Sequence, residues 1–147
     1  MKDVTNNLPQ VIKDHIRAHN TPDPELLMAT LAPDALLNDN RREFLGHDAI
    51  RKWAAKEIFG DKVTLDPQVA YEQYGSIIVR CNVDGTFDKS KLPDPVVLTY
   101  YFNLRDNLIT QLVILLNTAV AEPAPPLPWP AEPIRTAAQP AWATVRR

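Results

Sequence analysis

The period of the apolar residues changes once along the chain, near residue 62, and that change limits the possible folds more than any other feature. Before it, apolar side chains recur at the spacing of one helix face. Residues 8–19 place Leu8, Ile12, His15, Ile16 and His19 on one stripe, with Asn6 or Asn7 as cap and Pro9 in the first turn. Two histidines thus lie on the core side. A second helix opens at Asp23, which can cap, and Pro24, which suits the first helical position, and it buries Leu26, Leu27, Thr30 and Leu31 before Pro33 ends it. A short strand follows at residues 35–38. A third helix spans about 47–59, with Asp48 in its first turn, Ile50, Trp53 and Ala54 on one face, and Gly60 expected as a left-handed cap.

Beyond residue 62 the period is two and β-branched and aromatic residues accumulate, so the second half reads as antiparallel sheet. Residues 63–73 form a strand in which Pro67 marks an edge or a bulge. Tyr74-Gly75 is a hairpin turn. Residues 76–87 follow, with Ile77, Val79, Cys81 and Val83 on one face, and then a lysine- and proline-rich loop at 88–95. The strand at 96–104 places Leu98, Tyr100, Phe102 and Leu104 on one side. Residues 105–107 turn the chain. The segment 108–116 is apolar on both faces, with Ile109, Val113 and Leu115 on one and Leu112, Ile114 and Leu116 on the other, as expected of a central strand.

Two regions are expected: a folded domain over residues 1–117 and an extended, proline-rich tail over 118–147. Seven of the 14 prolines fall in the tail, at 123, 125, 126, 128, 130, 133 and 140, and preclude regular helix or sheet there. Trp129 and Trp142 also lie in it, which calls for docking on the domain or on a partner subunit. The P-x-x-P spacing at 125–128 arises by chance in any such segment.

A formal net charge of −2 with scattered basic residues excludes a nucleic-acid surface, since phosphate binding needs clustered Lys and Arg. No apolar run approaches a membrane span, and the first ten residues do not read as a secretory signal, so a cytoplasmic protein is expected. Cys81, the single cysteine, allows no intrachain disulfide and no thiolate zinc site, and it reads as core. His15 and His19 have i, i+4 spacing but lack the zincin glutamate, so no metal is expected. There is no glycine-rich phosphate loop and no serine-nucleophile motif.

Residues 34–55, DALLNDNRREFLGHDAIRKWAA, carry the strongest candidate site. Asn38, Asp39 and Asn40 stand at the end of the short strand, facing a helix that carries Trp53. Beside apolar surface, Asp39 can act in proton transfer. Alternatively the three residues simply form a turn, because Asn and Asp side chains bond nearby backbone.

The paired N-terminal helices ending in LLMATLAPDALLND, the G-x-D-A-I-x-x-W segment from Gly46 to Trp53, and the strand-turn-strand LTYYFNLRDNLITQLVIL resemble the nuclear transport factor 2-like superfamily, in particular SnoaL-like proteins and ketosteroid isomerases. The resemblance covers about residues 8–117. It implies an α+β cone in which N-terminal helices pack on a curved, mostly antiparallel sheet. Asp39 falls on the general base of the ketosteroid isomerase pattern, His15 on the position of its oxyanion-binding tyrosine, and Tyr100 on that of its second, acidic donor. The cone interior implied by the fold is lined by Ile12, His15, Ile16, Leu37, Phe44, Trp53, Leu98, Tyr100, Phe102 and Leu116. Sheet-to-sheet homodimers are usual in the superfamily, and the second apolar face of 108–116 fits one.

Three functions remain open. In the first, Asp39 removes a proton next to the carbonyl of a small apolar compound and His15 and Tyr100 stabilise the oxyanion, with no cofactor. In the second, the pocket binds a small hydrophobic ligand without catalysis and Asp39 is held in a salt bridge, with Arg41, Arg42 and Arg80 as possible partners. The third is a dimerisation module whose interior is filled by its own side chains.

Overall fold

A computed structural model of the chain describes residues 1–118. The elements run β1 (Lys2–Asp3), α1 (Gln10–Asn20), α2 (Pro24–Ala29), β2 (Leu31–Asp39), β3 (Arg42–Leu45), α3 (Gly46–Ala54), a π-helical turn (Ala55–Phe59), β4 (Thr64–Gln73), β5 (Ser76–Asp84), β6 (Val97–Arg105) and β7 (Leu108–Leu116). All seven strands form one sheet, in the order β1-β4-β5-β6-β7-β2-β3. Pairing is antiparallel except between β2 and β7. This is the expected α+β arrangement, with helices on one face of a mostly antiparallel sheet. The tail expected over 118–147, and Trp129 and Trp142 with it, lies outside the described residues apart from Thr118.

The helical face of the sheet is the core. Val79, Tyr100, Phe102, Leu112 and Ile114 are buried there against Ile12, His15 and His19 of α1, Leu27 of α2 and Ile50 of α3. Burial of each large apolar side chain in this layer stabilises the fold by about 2–3 kcal/mol. Asp23 caps α2 as its sequence foretells, its carboxylate accepting from the Leu26 N–H at 3.0 Å. For α1 the cap is Pro9 and no side chain bonds the helix end, so neither Asn6 nor Asn7 serves.

Several boundaries differ from the sequence reading, each for a local reason. Pro33 does not end α2. The helix stops at Ala29, and Pro33 sits inside β2, where pairing with β7 shifts register between Leu31 and Leu36 and no ladder N–H is needed. Between the short strand and α3 the chain adds a strand that the sequence reading did not include: Asn40 and Arg41, both with positive φ, make a tight hairpin, and β3 returns along β2. Gly60 is not a left-handed cap, since its φ is −63°. Its hydrogen is needed for a different reason, because a Cβ would collide with the Lys56 carbonyl oxygen of the π turn. Lys62, with φ 53°, reverses the chain instead.

Pro67 does sit at a bulge, where β4 slips one residue against β5. A second bulge, opposite Asn103 and Leu104, changes the faces of β7. It turns Ile109 inward, fully buried with Leu112 and Ile114, rather than outward beside Val113 and Leu115. Leu115 is 39% exposed on the far side of the sheet.

Candidate functional site

Asp39 is the last residue of β2, and the Asn40-Arg41 turn places Arg42 directly opposite it in the ladder. The turn is itself fixed to β7: the Asn40 N–H donates to the Ile114 carbonyl at 2.9 Å, and the Asn40 side-chain oxygen accepts from the Leu116 N–H at 3.1 Å. Arg42 Nη2 lies 2.6 Å from Asp39 Oδ2, and the same guanidinium grips Glu57 of the π turn through both carboxylate oxygens, at 2.6 and 2.9 Å. That bidentate pairing with Glu57 is the main reason the guanidinium is held even more firmly charged than usual. From α3, the Trp53 indole N–H also donates to Asp39 Oδ2, at 3.1 Å.

Both donors therefore converge on one oxygen of Asp39. Oδ1 takes part in no hydrogen bond among the described residues and is the oxygen left to act on something else. The side chain is 16% exposed. Phe44 packs on Trp53 with ring centroids 5.9 Å apart, and the Arg42 guanidinium lies over the Phe44 ring at 5.7 Å, so the corner is braced on its outer side.

Asp39 opens on a cavity of about 200 Å³. Its walls are largely apolar, from Ile58, Val83, Val96, Leu98, Ile114 and Leu116, with three aromatic rings, those of Trp53, Phe87 and Tyr100. Tyr100 is 1% exposed. Burial first, then the negative charge potential of Cys81 and Asp39, pushes its phenol well above the ordinary value, so it remains a protonated donor. Tyr100 lines the cavity, and its hydroxyl makes no hydrogen bond among the described residues.

Of the residues singled out from the sequence, Asp39, Tyr100, Trp53, Leu98 and Leu116 meet at this cavity. Ile12, His15, Phe44 and Phe102 do not line it. His15 sits in the dry layer behind, where Thr30 Oγ1 lies 2.9 Å from its Nδ1 and donates its own proton to the Leu27 carbonyl at 2.6 Å. With that hydroxyl proton committed, His15 Nδ1 must be the donor, which fixes the tautomer. Its edge meets Phe102, with centroids 5.6 Å apart. Burial, then His19, holds the His15 pKa well below the ordinary value, and burial takes that of His19 to about 4. His19 lies edge-on to Tyr100, at 6.3 Å, and its Nδ1 has no partner among the described residues.

Glu57 and Asp61 also line the cavity, and the sequence reading missed both. Glu57 could have been found, since it stands four residues after Trp53 on the same helical face. Asp61 has no such signal, because only the π turn and Gly60 bring it there. Cys81 is buried as expected, its thiol pushed up to about 12 by burial and then by Asp66. Among the described residues no three His, Cys, Asp or Glu side chains converge to hold a metal ion, and no helix is long and apolar enough to cross a membrane.

A candidate polyketide cyclase from Sinorhizobium meliloti has the same fold with 31% sequence identity and a TM-score of 0.66, and the match covers 76% of this chain and 98% of that one. The chain belongs to the nuclear transport factor 2-like superfamily. Within it, the neighbours are SnoaL-like and ketosteroid isomerase-like proteins. A ketosteroid isomerase-like protein from Catenulispora acidiphila, solved with trimethylamine, matches at 18% identity and a TM-score of 0.64, over 74% of this chain and 86% of its own. A Mycobacterium tuberculosis protein solved with estradiol-17beta-hemisuccinate matches at 14% and 0.61, over 74% and 92%. These last two share the superfamily fold. No family model matches the sequence, and no curated protein is significantly similar to it.

Proposed function

We propose that the protein binds a small, largely apolar carbonyl compound in this cavity and moves a proton at the carbon next to the carbonyl, as a cofactor-independent isomerase, cyclase or lyase. The observation that carries this reading is the asymmetric anchoring of Asp39. Arg42 and Trp53 hold the carboxylate through Oδ2 and leave Oδ1 to take the proton. The Tyr100 phenol, kept protonated by burial, donates to the oxygen on which charge develops. Roles of this kind fit the family, and the ligands held by the Catenulispora and Mycobacterium proteins support an interior that accepts small molecules. His15, bonded to Thr30, contributes to the packing behind Phe102 rather than a hydrogen bond to substrate.

A second reading, binding without catalysis, draws on one observation: Asp39 already holds an ion pair with Arg42 and a hydrogen bond from Trp53, the arrangement of an anchored structural carboxylate. Deuterium exchange at the acidic carbon of propiophenone in heavy water separates the two. Asp39→Asn is expected to slow catalysed exchange by about a hundredfold or more, the usual contribution of a general base. Exchange that is absent in the parent protein, or unchanged in the variant, leaves the binding reading. The half-buried and exposed residues of the outer sheet face, Tyr101, Val113 and Leu115 among them, support assembly as a homodimer through that face.

A further inference from the structure

The cavity carries more negative charge than its chemistry with a neutral carbonyl compound needs. Asp39, Glu57 and Asp61 all line it, and among the described residues no Lys or Arg does. Arg42 offsets two of these carboxylates through its ion pairs, and it does so from outside the cavity. Asp61 makes none of the ion pairs among the described residues, and the bonds at that position are made by its backbone carbonyl, which accepts from Thr86. Three carboxylates against one guanidinium leave the cavity electronegative. These acids are not arranged as a metal site, since no three of them converge among the described residues.

The cavity also holds an unused donor. Tyr100 lines it with a side chain that is 1% exposed, and its hydroxyl makes no hydrogen bond among the described residues. That donor is free for a ligand oxygen. Trp53 and Phe87 add aromatic surface to the same lining as the carboxylates. An electronegative cavity with aromatic walls favours a weakly hydrated organic cation, which gains from both charge and ring faces without the desolvation cost of a bare ion.

We propose that the ligand is an amine-bearing carbonyl compound, its oxygen on Tyr100 and its ammonium group held by Asp61 and Glu57 against the aromatic walls. This rests on the reading of the cavity as the ligand site and names the substrate class. Asp61 is then a specificity-determining residue. It favours the cationic end of the ligand and takes no part in proton transfer.

The test compares two ligands of nearly the same shape, phenacyltrimethylammonium and its uncharged counterpart neopentyl phenyl ketone, by NMR-detected binding to the full chain. The cation is expected to bind about tenfold more tightly at low salt, with the preference shrinking as salt is raised. Asp61→Asn, whose folding is checked by thermal denaturation, should remove most of the preference and leave ketone binding unchanged. Glu57→Gln provides a second variant should Asp61→Asn fail to fold. Equal or tighter binding of the neutral ketone, or a preference that survives both substitutions, overturns the amine class while leaving the carbonyl reading intact. If neither compound shifts the Trp53 indole resonance, the cavity is not the ligand site and both readings fall together.

Discussion

Two polar clusters lie on the helical side of the sheet, and they solve opposite problems. The histidine layer, His15 with Thr30 and His19, is buried and has no carboxylate partner among the described residues, so desolvation keeps both rings neutral. The Asp39 corner is half-open and braced by Arg42, Trp53 and Glu57, so it can keep full charges beside apolar walls. Only the second holds paired full charges. A buried polar residue in a fold of this kind is thus better judged by what compensates its charge than by its depth.

The contrast should be largest in stability. Phe102→Ala, which empties space beside His15, is expected to cost about 3–5 kcal/mol in urea unfolding, while Phe44→Ala at the half-buried corner should cost about half of that or less. Equal costs would mean that the two regions are packed alike. A pH series sharpens the same point. The folded pKa of His19 is about 4, below its ordinary 6.5, so the unfolded chain takes up a proton that the folded chain refuses. Stability is therefore complete above about pH 6.5 and falls as pH drops towards 4, by about 3 kcal/mol from this group. His19→Leu should flatten that slope, and an unchanged slope would assign the loss to other groups.

Smaller effects are expected at the corner. Arg42→Met removes partly solvated ion pairs and should lower stability by only about 1 kcal/mol, measured by chemical unfolding. Trp53→Phe keeps an aromatic ring against Phe44 but deletes the N–H on Asp39, again at about 1 kcal/mol. A much larger loss from Arg42→Met would show that the Asp39 and Glu57 charges are as isolated from water as the histidine layer.

The sequence made the layer easier to read than the corner, and the reason is periodicity. Ile12, His15, Ile16 and His19 repeat with the helix, and Tyr100 and Phe102 with the strand, so their faces follow from spacing. The corner depends on irregular backbone. Asp39 is visible as an acid at a strand end, but its partner Arg42 depends on two positive-φ residues that a charged RR dipeptide does not announce. Glu57 follows Trp53 at helical spacing, but Asp61 depends on a π turn, which has no compositional signature. The inward Ile109 depends on a bulge that breaks the alternation. Resemblance to the family placed Asp39 and Tyr100 at one cavity, yet it also pointed to His15, whose side chain belongs to the other cluster.

The most direct measurement is a crystal structure of the protein soaked with naphthol, a flat mimic of an enolised ketone. The naphthol oxygen is expected within hydrogen-bond reach of the Tyr100 hydroxyl, with its ring between Trp53 and the apolar wall and no change around His15. Naphthol lodged in the histidine layer, or bound only on the outer face of the sheet, would contradict this placement.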